Sequence, residues 1–167
     1  MVVRIEPGKC DNSMIRIFEK NTTKIGMNHK IKYDGESFKV QSPICEILEI
    51  TDTTIKVQFT TEYNIEHARF FQFINEMVNN FVSLNYSKFQ FVSTVAMAGP
   101  FVILELKKVS GTTCFDIDKH LISIDTLSKD DLAIFLLETK GIWANHETET
   151  TTMKWSILQV LKYNRNS

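Results

Sequence analysis

The period of the hydrophobic pattern changes twice along this chain, and that change constrains the fold more than any other feature. From Ile65 to Leu84, in IEHARFFQFINEMVNNFVSL, the apolar residues Phe70, Phe71, Ile74, Met77, Val78 and Phe81 fall at i, i+1, i+4, i+7, i+8 and i+11. Side chains at that spacing form one stripe on a helix of 3.6 residues per turn. Asn64 stands at the N-cap position. The spacing predicts the longest helix of the chain over residues 65–84, with Phe70, Ile74, Met77 and Phe81 buried. Phe73 lies off the stripe and needs a second neighbour.

On both sides of this segment the period is two. In TIKVQFT (Thr54–Thr60), Ile55, Val57 and Phe59 face one way and Lys56, Gln58 and Thr60 the other, the mark of a half-buried strand. CEILEIT (Cys45–Thr51) precedes it across Asp52 and Thr53, which predicts a hairpin. Further strands are expected at MIRIFEK and FKVQ before the helix, and at KFQFVSTV, FVILELKKV and TCFDID after it. In LSKDDLAIFLLETKG, Ser128 and Asp131 suit a capping box and Gly141 a helix stop. The continuous apolar run LAIFLLE equally suits a buried strand. The expectation is a short capped turn running into a strand. Together these elements predict a mainly β, α+β chain: a small antiparallel barrel or sandwich, OB-like, with one long helix at 65–84 and an additional N-terminal strand or two. At 167 residues the chain fits one domain, 1–167.

Composition narrows the function classes. Twelve phenylalanines and 43% hydrophobic residues oppose disorder. A net charge of −1 gives no global pull toward nucleic acid or membrane. Residues 1–40 carry eight Lys/Arg against five Asp/Glu, and the remainder eleven against fifteen, so the N-terminal quarter is mildly basic. Cys10, Cys45 and Cys114 are odd in number and widely spaced, against both a disulfide framework and a zinc site. No apolar run approaches the ~20 residues of a membrane span, and MVVRIEPGKC lacks a signal-peptide core. The sequons at Asn21 and Asn85 need a secreted context, so an intracellular, reducing location is expected.

No phosphate-binding loop, dinucleotide fingerprint, zinc-protease helix or nucleophile elbow is present. His146–Glu149 (HETE) reads as a solvated loop tip, and Asp116 and Asp118 as a solvated strand edge. His29, His67 and His120 are isolated in sequence. No catalytic residue, metal site or cofactor is therefore expected. Aromatic and basic residues are better supplied. KIGMNHKIKYDGESFKV interleaves Lys24, His29, Lys30, Lys32 and Lys39 with Tyr33 and Phe38. A groove for single-stranded nucleic acid uses this mixture, cations for phosphates and rings for bases. The same lysines also suit an edge strand blunted against pairing with other chains.

Both tryptophans lie in LLETKGIWANHETETTTMKWSILQVLKY, expected as the final hairpin. Period two puts Trp155, Ile157, Leu161 and Tyr163 on one face, with Gln159 among them. Trp143 closes the preceding strand. The polar run between the tryptophans is expected as the connecting loop, with the indoles packed on each other or offered as a platform for bases. Gly141, Ile142 and Trp143, followed by Trp155, Ile157, Leu158, Gln159 and Val160, resemble the closing hairpin of OB-fold single-stranded-DNA-binding proteins of large nucleocytoplasmic DNA viruses, and more distantly those of T7-like phages. Thr150–Thr152 stand where those proteins carry a glycine, and NRNS replaces the acidic tail of the phage proteins.

The resemblance implies a viral origin, a barrel, and either genome handling or a virion part. It leaves two expectations. In the first, the chain binds single-stranded nucleic acid in replication or packaging through Lys24, Lys30, Lys32, Tyr33, Phe38, Trp143 and Trp155. In the second, it is a structural or scaffolding component of a particle, held by other virion proteins or by further copies of itself. Neither requires a membrane, and both place it in the host cytoplasm, a virus factory or the virion. Thiol titration of the unfolded chain without reductant is expected to count three; a count of one would overturn both the free thiols and the compartment.

Overall fold

The computed structural model describes residues 2–22 and 25–163, with backbone only for 19–22. Strands β1 (Val2–Ile5), β2 (Ile15–Thr22), β3 (Gly26–Tyr33), β4 (Ser37–Gln41), β5 (Cys45–Ile50) and β6 (Thr54–Thr60) precede helix α1 (Ile65–Asn85). After it come β7 (Gln90–Val92), β8 (Val95–Ala98), β9 (Phe101–Lys107), β10 (Thr113–Phe115), β11 (Leu121–Ile122), β12 (Leu132–Asn145) and β13 (Thr150–Tyr163). The chain is mainly β with one long helix, as the change of period predicts.

The long hairpin β12–β13 is the spine. Its strands pair antiparallel from Leu132↔Tyr163 to Asn145↔Thr150. The other edge of β12 receives β5 at Leu132 and Ala133, β4 at Leu136–Glu138 and β3 at Ile142–Asn145. The other edge of β13 receives β7 at Thr150–Thr152, β9 at Trp155 and Ser156, and β10 at Gln159–Leu161. Since β5 pairs β6 and β6 pairs β9, the circuit β12–β5–β6–β9–β13 returns to β12. That is a closed five-stranded barrel of OB type, which decides between the two architectures open at the sequence level.

Several local expectations hold. Thr51 and Thr54 close the β5–β6 hairpin, the Thr51 hydroxyl accepting from the Thr54 amide at 2.9 Å. Ser128 is a capped turn, its amide donating to Asp131 Oδ2 at 2.8 Å, and the chain then runs into β12. Others differ. The Asn64 side chain does not cap α1; it donates back to the Thr60 carbonyl at 2.9 Å. Gly141 is no helix stop but lies within β12. The polar run between the tryptophans is mostly strand, because its threonines pair across the ladder. Only residues 146–149 turn, held by Asn145 Oδ1 accepting from the Glu147 amide at 2.9 Å.

The core lies inside the barrel and under α1. Phe70, Phe71, Ile74, Val78 and Val82 are the helix's large buried side chains. Met77 and Phe81, expected buried, are only half-buried, because the stripe's centre runs through Phe71, Ile74 and Val78. Trp155 is fully enclosed by Phe71 at 5.4 Å and by Phe38 and Phe70, each at 6.2 Å between ring centroids. All three cysteines are free thiols, and burial pushes the Cys45 thiol up to about 12. Truncating Phe71 to Ala is expected to cost ~3–5 kcal/mol in urea melts, and Phe81→Ala only about 1–2 kcal/mol. Equal losses would mean that α1 is rotated from this packing.

Candidate nucleic-acid interface

Alternation along β12 changes phase at one residue. Ala133, Phe135, Leu137 and Thr139 are buried, all odd-numbered; beyond the break the buried residues are Ile142 and Ala144. The ladder slips between Thr139 and Ile142, two residues opposing Lys154 alone. Such a bulge inserts one residue and re-aims the side chains beyond it. Gly141 makes it possible. Its φ is +105°, and a Cβ there would collide with the His29 carbonyl oxygen and lie 2.8 Å from Lys30 Cα. The Gly141 amide donates to Thr139 Oγ1 at 3.1 Å, and Asn28 Nδ2 donates to the Lys140 carbonyl at 3.1 Å. The bulge is therefore pinned from both sides.

Its consequence is the position of Trp143. In unbroken alternation this residue would continue the odd-numbered core series; after the bulge it points outward. The far edge of its indole lies over Gly26, 2.8 and 2.9 Å from where a Cβ would be. Bare backbone at Gly26 thus provides the seat for the ring.

Around Trp143 lies a groove of about 470 Å³ lined by Asn28, Lys107, Lys140, Thr152, Lys154 and Ser156, among others. A second section of about 240 Å³ continues from the shared Asn28 and Lys140 to Lys30, Lys32, Ser37 and Glu138. Strand alternation explains the lining. On β13, Thr151, Met153, Trp155 and Ile157 enter the core, which turns Thr152 and Lys154 outward. On β3, His29 and Ile31 enter it, which turns Asn28, Lys30 and Lys32 outward. Among the described residues, five lysines and one carboxylate line the two sections. At the far end Lys32 Nζ sits 5.4 Å from the centroid of the exposed Phe18 ring, which lies in a bulge of β2.

Of the residues that sequence nominated, Lys30, Lys32 and Trp143 come together here. Tyr33 does not; it sits half-buried in a separate cleft with Arg4, Lys9 and Cys10, its hydroxyl accepting from the Asp11 amide at 3.3 Å. Phe38 and Trp155 are corrected from surface platforms to core residues, 1% and 0% exposed. They pack on each other beneath the sheet, so no base reaches either ring in the folded chain. Lys24 lies outside the described residues. Asn28, Lys107, Lys140 and Lys154 were missed. Lys154 was findable, since a lysine before a core Trp must face outward.

The other candidates lie elsewhere. His146 is on the β12–β13 turn, edge-on to Phe89 at 5.6 Å. Asp116, Asp118 and His120 are less isolated than the sequence suggests: their ligand atoms lie within 4.8 Å of one another on the exposed turn between β10 and β11.

No family model matches the chain, and no curated protein matches it in sequence. Solved structures do share its fold. Superposition on gp2.5, a single-stranded DNA binding protein encoded by bacteriophage T7, gives a TM-score of 0.60 at 5% identity, covering 75% of this chain and 91% of that one. The single-stranded DNA-binding protein from bacteriophage Enc34 gives 0.56 at 8% identity, over 88% and 89%. The Enc34 protein in complex with ssDNA gives 0.53 at 8% identity, over 88% and 94%. At such identities the likeness is one of fold, and the resemblance expected from the closing hairpin extends, as fold, to most of the chain.

Gly141→Ala tests the bulge. Strain at a positive φ alone costs about 1–3 kcal/mol, and the collision with β3 adds to it. The expected result is a lowered urea midpoint together with a shift in the emission of Trp143. A variant as stable as the parent would show that β3 does not approach β12 this closely.

Proposed function

We propose that this chain binds single-stranded nucleic acid, without catalysis, along the face formed by β3, β12 and β13. The observation that carries the reading is the outward indole of Trp143 on the wall of an OB-type barrel, with Lys107, Lys140 and Lys154 around it and Lys30 and Lys32 in the adjoining section of the groove. Cations neutralise phosphates without reading sequence. A base stacked on an aromatic ring contributes ~1–3 kcal/mol whatever its identity. Lys30, Lys32, Lys107, Lys140 and Lys154 would track the backbone while Trp143 takes a base. The fold shared with two phage single-stranded-DNA-binding proteins, of which the Enc34 protein is solved in complex with ssDNA, supports the same reading. Replication or packaging of a viral genome is the setting we propose for it.

The two tryptophans make the test self-controlled. Oligothymidine is expected to quench emission from Trp143 and leave that of Trp155 unchanged, so Trp143→Phe should abolish quenching. Affinity should fall with salt by ~0.7 log units per log unit for each phosphate engaged. Lys140→Ala and Lys154→Ala should each reduce that slope by about one such step, and Trp143→Ala should weaken binding about tenfold at every salt concentration. Absence of quenching by folded protein at low salt would sink the reading.

A further inference from the structure

Within this groove, and resting on the single-strand reading above, we propose that Glu138 is a base-reading residue. It accepts hydrogen bonds from the N1–H and N2–H₂ edge of an unpaired guanine. Glu138 lies on β12 two residues before Lys140 and is, among the described residues, the one carboxylate in either section of the groove. Its cross-strand neighbours are Ser156 on β13 and Lys39 on β4. It is half-buried, and no ion pair or hydrogen bond ties its carboxylate to another described residue. A carboxylate thus stands among Lys30, Lys32, Lys39 and Lys140 and is held by none of them.

A groove for phosphates alone gains nothing from it, because like charges repel. What a carboxylate adds is a pair of side-by-side acceptors. In a single strand the Watson–Crick edges of the bases are open to such contacts. Thymine offers one donor there, N3–H, flanked by two carbonyl oxygens that oppose the second carboxylate oxygen. Cytosine and adenine each offer one amino group next to an acceptor nitrogen. Guanine offers two adjacent donors and so matches both oxygens at once, the arrangement that makes charge-assisted pairs strong and specific. The lysines and Trp143 then supply affinity common to all strands, and Glu138 supplies preference among them.

Fluorescence anisotropy with three labelled oligothymidines of equal length tests this. One is unsubstituted, one carries spaced guanines, and one carries inosine, which lacks the N2 amino group, at the same positions. The full-length protein is expected to bind the guanine oligomer roughly tenfold more tightly than oligothymidine, with inosine between. In Glu138→Gln and Glu138→Ala, both checked for folding by circular dichroism, the ratio should fall to near one. Equal binding of all three by the parent protein would overturn the proposal. So would a ratio that persists in both variants, including the case where all three oligomers bind more tightly by a common factor and the carboxylate only tempers the lysine charge. Failure of the folded parent protein to bind any of the three would instead overturn the single-strand reading itself.

Discussion

The close approach of β3 to β12 at Gly141 is the contact on which the proposed binding face depends. Backbone meets backbone there, the His29 carbonyl oxygen occupying the place a side chain would take. That approach does two things at once. It lets β3 join the spine hairpin, bringing Lys30 and Lys32 beside Lys140. It also absorbs the additional residue that turns Trp143 from the core to the surface. A side chain at position 141 would separate these effects from each other and from the barrel.

The near-zero net charge is no obstacle to a polyanion partner, because what acts on a ligand is the local field within about a Debye length, ~8–10 Å. Five lysines converge on one face with Glu138 as its one described carboxylate, while Asp116 and Asp118 lie on a turn elsewhere. Average charge thus hides what strand alternation concentrates: every second residue on β3 and β13 faces the same way, so a few cations per strand accumulate on one wall.

The fold was legible because period is a local signal. Phe70, Phe71, Ile74 and Val78 announce α1 wherever the helix packs, and Ile55, Val57 and Phe59 announce β6. The candidate groove was legible only in part. Lys30 and Lys32 stood out by density in sequence, but Lys107, Lys140 and Lys154 reach the groove from other strands through a pairing order that no local pattern encodes. The tryptophans show the limit most clearly. Unbroken period two from Leu132 to Asn145 would bury Trp143, and the Gly141 bulge reverses that. A second slip, between Ile157 and Gln159, moves Val160 into the core and takes Leu161 and Tyr163 off the face they would have shared with Trp155. Bulges are single-residue events, and only the glycine at 141 hints at either. Phe38 looked like a platform because its neighbours are lysines; its own place in the alternation of β4, with Val40, puts it inside.

Core and groove are two sides of the same strands, and this bears on how tightly such a face would bind. Lys154 is held by Met153 and Trp155, its neighbours in β13, both locked in the core. Trp143 is held from below by Gly26 and from both sides by the ladders to β3 and β13. Groups presented from paired strands keep their positions before a ligand arrives, so less conformational freedom is lost on binding than for groups carried on loops. The indole of Trp155 contributes to that rigidity even though its N–H has no acceptor among the described residues. The penalty of the orphaned donor is set against three aromatic neighbours at 5.4–6.2 Å, pairs worth about 0.5–1.5 kcal/mol each beyond their buried area. Apolar packing at Trp155 outweighs one unmet donor, and this buried ring holds Lys154 and its strand in place beside the outward ring of Trp143.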